Sequence, residues 1–238
     1  MSATSGGTNK IWPNWWRWGG VDGIIWAVLF VIGAVVLQGE PPARDDSAEV
    51  IRDYFEDGQM WLIGDYLIAL GFIFFFLPYV IALRWVLGTG EGWPPIWSWM
   101  SFAGGLGVVF VGACSGFLWG GLALGLEDNP DLDAGTLRFL MDATSYANYL
   151  WTMFVALFVG SSGFVILRSG VLWRWLGAVG ILAAVLLIIG AAWIIDGDEE
   201  SALAFIGFPG VLLTIFFIIA SSIGMIMKKE PPLPAGGG

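Results

Sequence analysis

Histidine is absent from this chain, cysteine occurs once, and charged residues make up only 13% of it. The first absence removes histidine-ligated haem, histidine metal sites and Ser-His triads. The lone thiol, Cys114, can neither close an intrachain disulfide nor hold an iron–sulfur cluster, and it leaves the redox compartment unread. No lysine falls inside an apolar stretch, which excludes a retinal-type Schiff base, and no Walker A or dinucleotide fingerprint occurs. Carboxylates remain as acid–base candidates, but none stands in a recognisable motif. The expectation is a chain that is not an enzyme and has no catalytic, cofactor-binding or metal-ligating set. Its basic residues are few and scattered, which argues against nucleic acid as a partner.

What is present is apolar surface: 57% of the 238 residues are hydrophobic, with a mean hydropathy of +0.78, whereas soluble domains carry about 25% charge. Apolar runs cover residues 21–39, 60–87, 96–126, 143–167, 171–195 and 202–227. Each is at or near the ~20 residues a helix needs to cross a bilayer, so the predicted fold is an all-α bundle of six transmembrane helices. The runs are continuously apolar, which excludes the alternation of a β-barrel strand.

The net charge of −10 is unevenly placed. Lys10, Arg17, Arg84, Arg168, Arg174, Lys228 and Lys229 fall at the termini and in the second and fourth connections, and Arg44, Arg52 and Arg138 fall in the others. Positive-inside bias then puts both termini in the cytoplasm. Acids crowd the opposite loops, at Glu40, Asp45, Asp46, Glu49, Asp53, Glu56 and Asp57, at Glu127, Asp128, Asp131 and Asp133, and at Asp196, Asp198, Glu199 and Glu200. Such a rim keeps the surface soluble, and it also concentrates cations near any opening.

Tryptophan marks the boundaries. In "IWPNWWRWGG" Trp12, Trp15 and Trp16 share one helical face, with Trp18 close by. Residues 11–18 therefore read as an interfacial segment that leads through Gly19 and Gly20 into the first span. Trp85, Trp93, Trp97, Trp99, Trp173 and Trp175 repeat the pattern at inner ends, and Trp61 and Trp193 at outer ends. A Trp-rich protein-docking surface is the alternative reading.

The chain divides into a head (1–20), a membrane domain (21–227) and a tail (228–238) ending "PPLPAGGG", which is expected to be disordered. Its first apolar run is long and no small-residue cleavage pattern follows, so a cleavable signal peptide is not expected. Tyr66 and Arg84 recur as Tyr149 and Arg168, and Arg52 recurs as Arg138, at offsets near 85 residues, which raises a duplication of the first two hairpins. The first and second outer loops, "SAEVIRDYFEDG" and "DAGTLRFLMDATSY", each have the spacing of a short amphipathic helix that lies on the outer leaflet or caps the bundle, with Ser47 and Asp133 as N-caps. The pattern "SAEVIRDYF" after the first span, "LR" closing the second, a glycine-rich third span and "GVLWRWLGAVGILAAVLLIIG" opening the fifth resembles a broad group of uncharacterised six-span bacterial membrane proteins, common in actinobacteria. The resemblance implies topology and a bacterial inner membrane. It carries no ligand or catalytic residue.

Two sets of residues carry the functional expectations. In the third span Gly104, Gly112, Gly116 and Gly120 share a face, the small-residue spacing of close helix packing inside the monomer or of a seam between copies. At membrane depth stand Asp65 in the second span and the stripe Asp142, Ser145, Asn148, Tyr149 and Thr152 on the fourth, with Asp65 and Asn148 at nearly matching depth. They serve either as hydrogen bonds between helices or as a polar cavity open to the outside. The leading functional expectation is a non-enzymatic structural or accessory component, self-associating or lying beside other membrane subunits. The alternatives are a small transporter or channel for a cation, proton or small polar solute through Asp65 and Asn148, and a lipid or apolar-ligand binder using the aromatic wall "GFIFFF".

Overall fold

The computed structural model describes residues 14–39, 41–42, 46–55, 58–129, 132–192, 194 and 202–228. Among them every regular element is helical. They are α1 (Trp15–Leu37), α2 (Ala48–Tyr54), α3 (Gln59–Glu91), α4 (Ile96–Asp128), α5 (Ala134–Ser169), α6 (Arg174–Ala191) and α7 (Ala202–Met227). All but α2 are long and apolar enough to cross a membrane, making six candidate spans. Neighbours in sequence pack against each other from α4 to α7, and α7 returns against α1. Trp12, Trp193, the head before Asn14, the tail after Lys228 and the acids of the third outer loop lie outside the described residues.

Several boundaries differ from the sequence expectation, each for a packing reason. The tryptophan segment runs directly into the first span, with α1 beginning at Trp15 and continuing through Gly19 and Gly20 without a break. Those glycines are pressed against neighbours. A Cβ on Gly19 would collide with Cβ of Ala82, and one on Gly20 would lie 2.6 Å from the Ser222 carbonyl oxygen. Close approach to α3 and α7 holds the helix where propensity alone would weaken it. On α5 the segment 134–142 is continuous with the fourth span, because no glycine or proline interrupts the chain between Gly135 and Gly160. The fifth span starts at Arg174, after Gly170 turns the chain with φ 67°.

Ser47 caps α2 by accepting from the Val50 N–H (3.3 Å), and Asp133 caps α5 by accepting from Thr136 N (3.0 Å). These bonds satisfy donors that a helix start leaves without partners. The main core fills the bundle with Trp26, Phe72, Phe76, Tyr79, Leu83 and Phe158 among others. A smaller core sits at one end, where Ile51 and Phe55 meet Trp61, Leu122, Leu137 and Met141. The chain around α2 thus covers the ends of α3, α4 and α5. Arg52 Nη2 donates to the Leu132 carbonyl (2.7 Å) and Arg138 Nη1 to the Asp46 carbonyl (3.1 Å), so the two loops at this end are tied reciprocally. At the opposite end Arg17 donates to the Lys228 carbonyl and Lys228 Nζ to the Val171 carbonyl.

Candidate binding cavity

Four helices and the end of α2 enclose a cavity of about 230 Å³ beneath the smaller core. Helical spacing brings each wall to it. From α3 come Trp61, Asp65, Ile68 and Phe72, and from α4 come Gly112, Ser115, Gly116 and Trp119. The remaining lining is Phe30, Ala34 and Gln38 of α1, Gly39 and Pro41 after it, Asn148 and Trp151 of α5, and Tyr54. Two of these walls include π-helical turns, Val31–Leu37 and Phe72–Phe76. Such turns re-aim side chains that a regular α-helix would stagger differently.

Among the described residues Asp65 is the one carboxylate in the lining, and no lysine or arginine joins it. It is half-buried, and it makes no hydrogen bond or ion pair among the described residues. The carboxylate rests against a gap in α4: a Cβ on Gly116 would lie 2.9 Å from Asp65 Oδ1, and one on Gly120 would lie 3.6 Å from Oδ2. Across the cavity, buried Ser115 donates to Asn148 Oδ1 (3.1 Å). Asn148 is exposed.

Aromatic rings close both ends of this space. Towards α2, Trp61 and Trp119 lie 5.9 Å apart between centroids, and Tyr54 lies 6.2 Å from Trp119. Trp61 Nε1 donates to the Tyr54 hydroxyl (3.1 Å), which fixes the two rings together. Burial holds the Tyr54 phenol above its ordinary pKa and therefore neutral, while the bond from Trp61 pulls the other way. Towards the bundle centre, Phe30 stacks on Trp151 at 6.3 Å, and Phe72 joins the layer Trp26, Phe76 and Phe158. Beneath that layer Tyr79 and Ser221 share a buried hydrogen bond of 2.7 Å. Packed rings thus bound the cavity on the side of the bundle centre.

Of the residues expected to form a polar cavity, Asp65 and Asn148 come together here, whereas Asp142, Ser145 and Tyr149 do not line it. The Tyr149 ring lies beside Tyr146 at 5.7 Å, and Thr152 bonds back to the Asn148 carbonyl. The four glycines of α4 separate by role. A Cβ at Gly104 would meet the backbone of Phe158 on α5, and one at Gly112 the Phe72 ring, while Gly116 and Gly120 make room for Asp65. Among the expected boundary tryptophans, Trp16 is buried and stacked on Trp85, with Trp15 tilted against the same ring. Trp18 is 67% exposed, and Trp173 and Trp175 stack on each other while remaining exposed. Sequence reasoning missed Gln38, Tyr54, Ser115, Trp119 and Trp151. Their signal was present as the i, i+4, i+7 faces shared with known positions, such as Ser115 and Trp119 on either side of Gly116.

A second groove, about 410 Å³, lies at the opposite end between Glu91, Trp97, Phe164 and Arg168. Its carboxylate is already engaged, since Glu91 accepts from the backbone N–H of Trp97 (2.6 Å) and of Ser98 (2.8 Å) at the start of α4. Compared with known protein families, with curated proteins and with solved structures, the chain matches none.

Proposed function

We propose that this is a non-enzymatic multi-pass protein of a bacterial cytoplasmic membrane that binds a small cation-bearing solute in the Asp65 cavity. The observation that carries the reading is a carboxylate at membrane depth, inside a cavity, with no cation to balance it among the described residues. An ionisable group within a span costs a few kcal/mol and is retained where it faces a ligand or water path. The accessory-subunit reading accounts for close helix packing but leaves that cost without a return. With both termini in the cytoplasm, as the positive-inside bias argues, the cavity lies towards the outer, acidic loops, where a negative rim raises the local concentration of cations. The packed rings beneath the cavity argue for capture from one side rather than for an open pore.

The test is thermal melting of the purified chain in mild detergent, titrated with a panel of monovalent, divalent and organic cations at constant ionic strength. Ligand bound to the folded form raises the melting temperature in proportion to occupancy. At least one cation is expected to do so in the wild type and to lose its effect in Asp65→Asn, while Asp22→Asn, towards the other end of α1, keeps it. Wild-type melting indifferent to every cation, with Asp65→Asn matching it, sinks the proposal.

A further inference from the structure

We infer that the occupant is an organic ammonium, a small protonated or quaternary amine with an apolar body; this rests on the cation-binding reading above and narrows it. Three features of the cavity separate this class from a metal ion.

The first is the donor set. A hard divalent cation takes six or more converging oxygens, usually with several carboxylates. Here one carboxylate faces the space, and the other polar side chains are Gln38, Tyr54, Ser115 and Asn148. Two of these are already bonded to each other (Ser115 and Asn148), and Tyr54 receives the indole N–H of Trp61. No group of three metal-ligating acids, cysteines or histidines assembles among the described residues.

The second is the aromatic content. Tyr54, Trp61 and Trp119 stand on the α2 side of the carboxylate, and Phe30, Phe72 and Trp151 on the other. With the Trp61 nitrogen engaged by Tyr54, what that residue offers a ligand is its ring. Rings around a single negative charge suit a cation whose positive charge is spread over C–H groups, since ring faces attract it within about 6 Å and an apolar surface does not strip it of tightly held water.

The third is size. A cavity of ~150 Å³ takes up a benzene ring, so about 230 Å³ admits a body of that size or somewhat larger. A bare ion would leave most of it unfilled. The described lining also suits the charge of this class, with one acid and no base.

The experiment is isothermal calorimetry on the full chain in mild detergent, with melting as a second readout. The probes are tetramethylammonium and choline, the neutral isostere 3,3-dimethyl-1-butanol, and sodium, potassium and magnesium chlorides at matched ionic strength. Both ammonium probes are expected to bind, and the isostere at least tenfold more weakly. Asp65→Asn and Trp119→Leu should each weaken choline by tenfold or more, and Asp22→Asn should leave it unchanged. Trp119 is chosen over Trp61 because it is only half-buried, and each variant's melting curve shows whether it is folded. Asp65→Glu, which keeps the charge, should retain measurable binding. Asp65-dependent binding of sodium, potassium or magnesium without the ammonium probes overturns the inference and leaves the cation-site reading standing. Equal binding of choline and its isostere overturns the inference in favour of a neutral apolar ligand. No Asp65-dependent binding of any cation overturns both.

Discussion

Alanine scanning of four glycines on α4 separates close helix contact from open space, because each faces something different. At Gly104 an added Cβ would lie 2.6 Å from the Phe158 nitrogen and 2.9 Å from its Cα. That is backbone and cannot rotate away, so α4 and α5 must part, at about 1–3 kcal/mol. At Gly112 the nearest atom is a Phe72 ring carbon at 3.3 Å, which yields by a few tenths of an ångström. At Gly116 it is the tip of Asp65 at 2.9 Å, which can swing aside, and at Gly121 nothing lies within 4 Å. Alanine in a helix interior is worth roughly 0.5–1 kcal/mol over glycine. The expected order of melting temperatures is therefore Gly121→Ala at or above wild type, Gly112→Ala and Gly116→Ala near it, and Gly104→Ala below it by roughly 2–12 °C, at about 2–4 °C per kcal/mol. Gly116→Ala should in addition weaken the cation response without lowering stability, since it displaces the carboxylate. Melting in mild detergent with native mass spectrometry reads both stability and association. Gly104→Ala melting as high as Gly121→Ala would refute the close α4–α5 contact. A loss at Gly121→Ala accompanied by dissociation of an oligomer would show that a second copy covers that face.

Tyr79→Phe should cost about 1 kcal/mol, read by melting, because it deletes the buried bond to Ser221 while that serine keeps the Ile218 carbonyl as acceptor. Ser162→Ala should cost about 0.6 kcal/mol, the average for an interhelical bond in a membrane, since it removes the 2.7 Å pair with Ser101. In a Cys114→Ala background, cysteine at Asp46, Asp131 or Asp198 should label with an impermeant reagent in intact cells, whereas cysteine at Thr89 or Ser169 should not; labelling at Thr89 would reverse the orientation. Asp133 is held below the ordinary carboxylate pKa by its bonds from the Thr136 side chain and N–H. Its stabilising contribution is therefore present above pH ~4 and lost as pH falls through the folded value, and Asp133→Asn should remove that component from the acid limb of the melting profile.

The span count was legible because hydrophobic length is a property of composition, and it needs no knowledge of what each helix faces. Helix ends were less so. The tryptophan segment reads as leading through Gly19 and Gly20 into the first span, but the surfaces that make glycine favourable there belong to Ala82 and Ser222, far away in sequence. Asp65 and Asn148 were legible because polar groups at membrane depth are conspicuous. Asp142 and Ser145 share the periodicity of Asn148 without lining the cavity, and near them α5 packs against the chain of α2 around Leu137 and Met141 at the end of the bundle. The tryptophans divided similarly. Trp61 at a helix end reads as a boundary anchor, but it is buried against Phe55 and Trp119. A boundary position and a wall around a charge use the same side chain.

The glycines of α4 show why spacing alone cannot assign a role. Glycine four residues apart reads as helix association, and at Gly104 a neighbouring backbone does lie against it. At Gly116 and Gly120 no backbone approaches; the nearest atoms beyond the helix are those of the Asp65 carboxylate. Alanine or serine would serve packing as well there and would favour the helix, so helix contact gives no reason for glycine at either position. Room for a carboxylate does give one, because a methyl group at Gly116 would force Asp65 out of the place it occupies. The missing side chains on α4 and the charge on α3 thus belong to one arrangement, in which the gap holds an anion that has no partner among the described residues. A ligand that pairs it should depend on both helices, so that Gly116→Ala and Asp65→Asn weaken binding without adding when combined. Additive losses would mean that the gap and the carboxylate act separately.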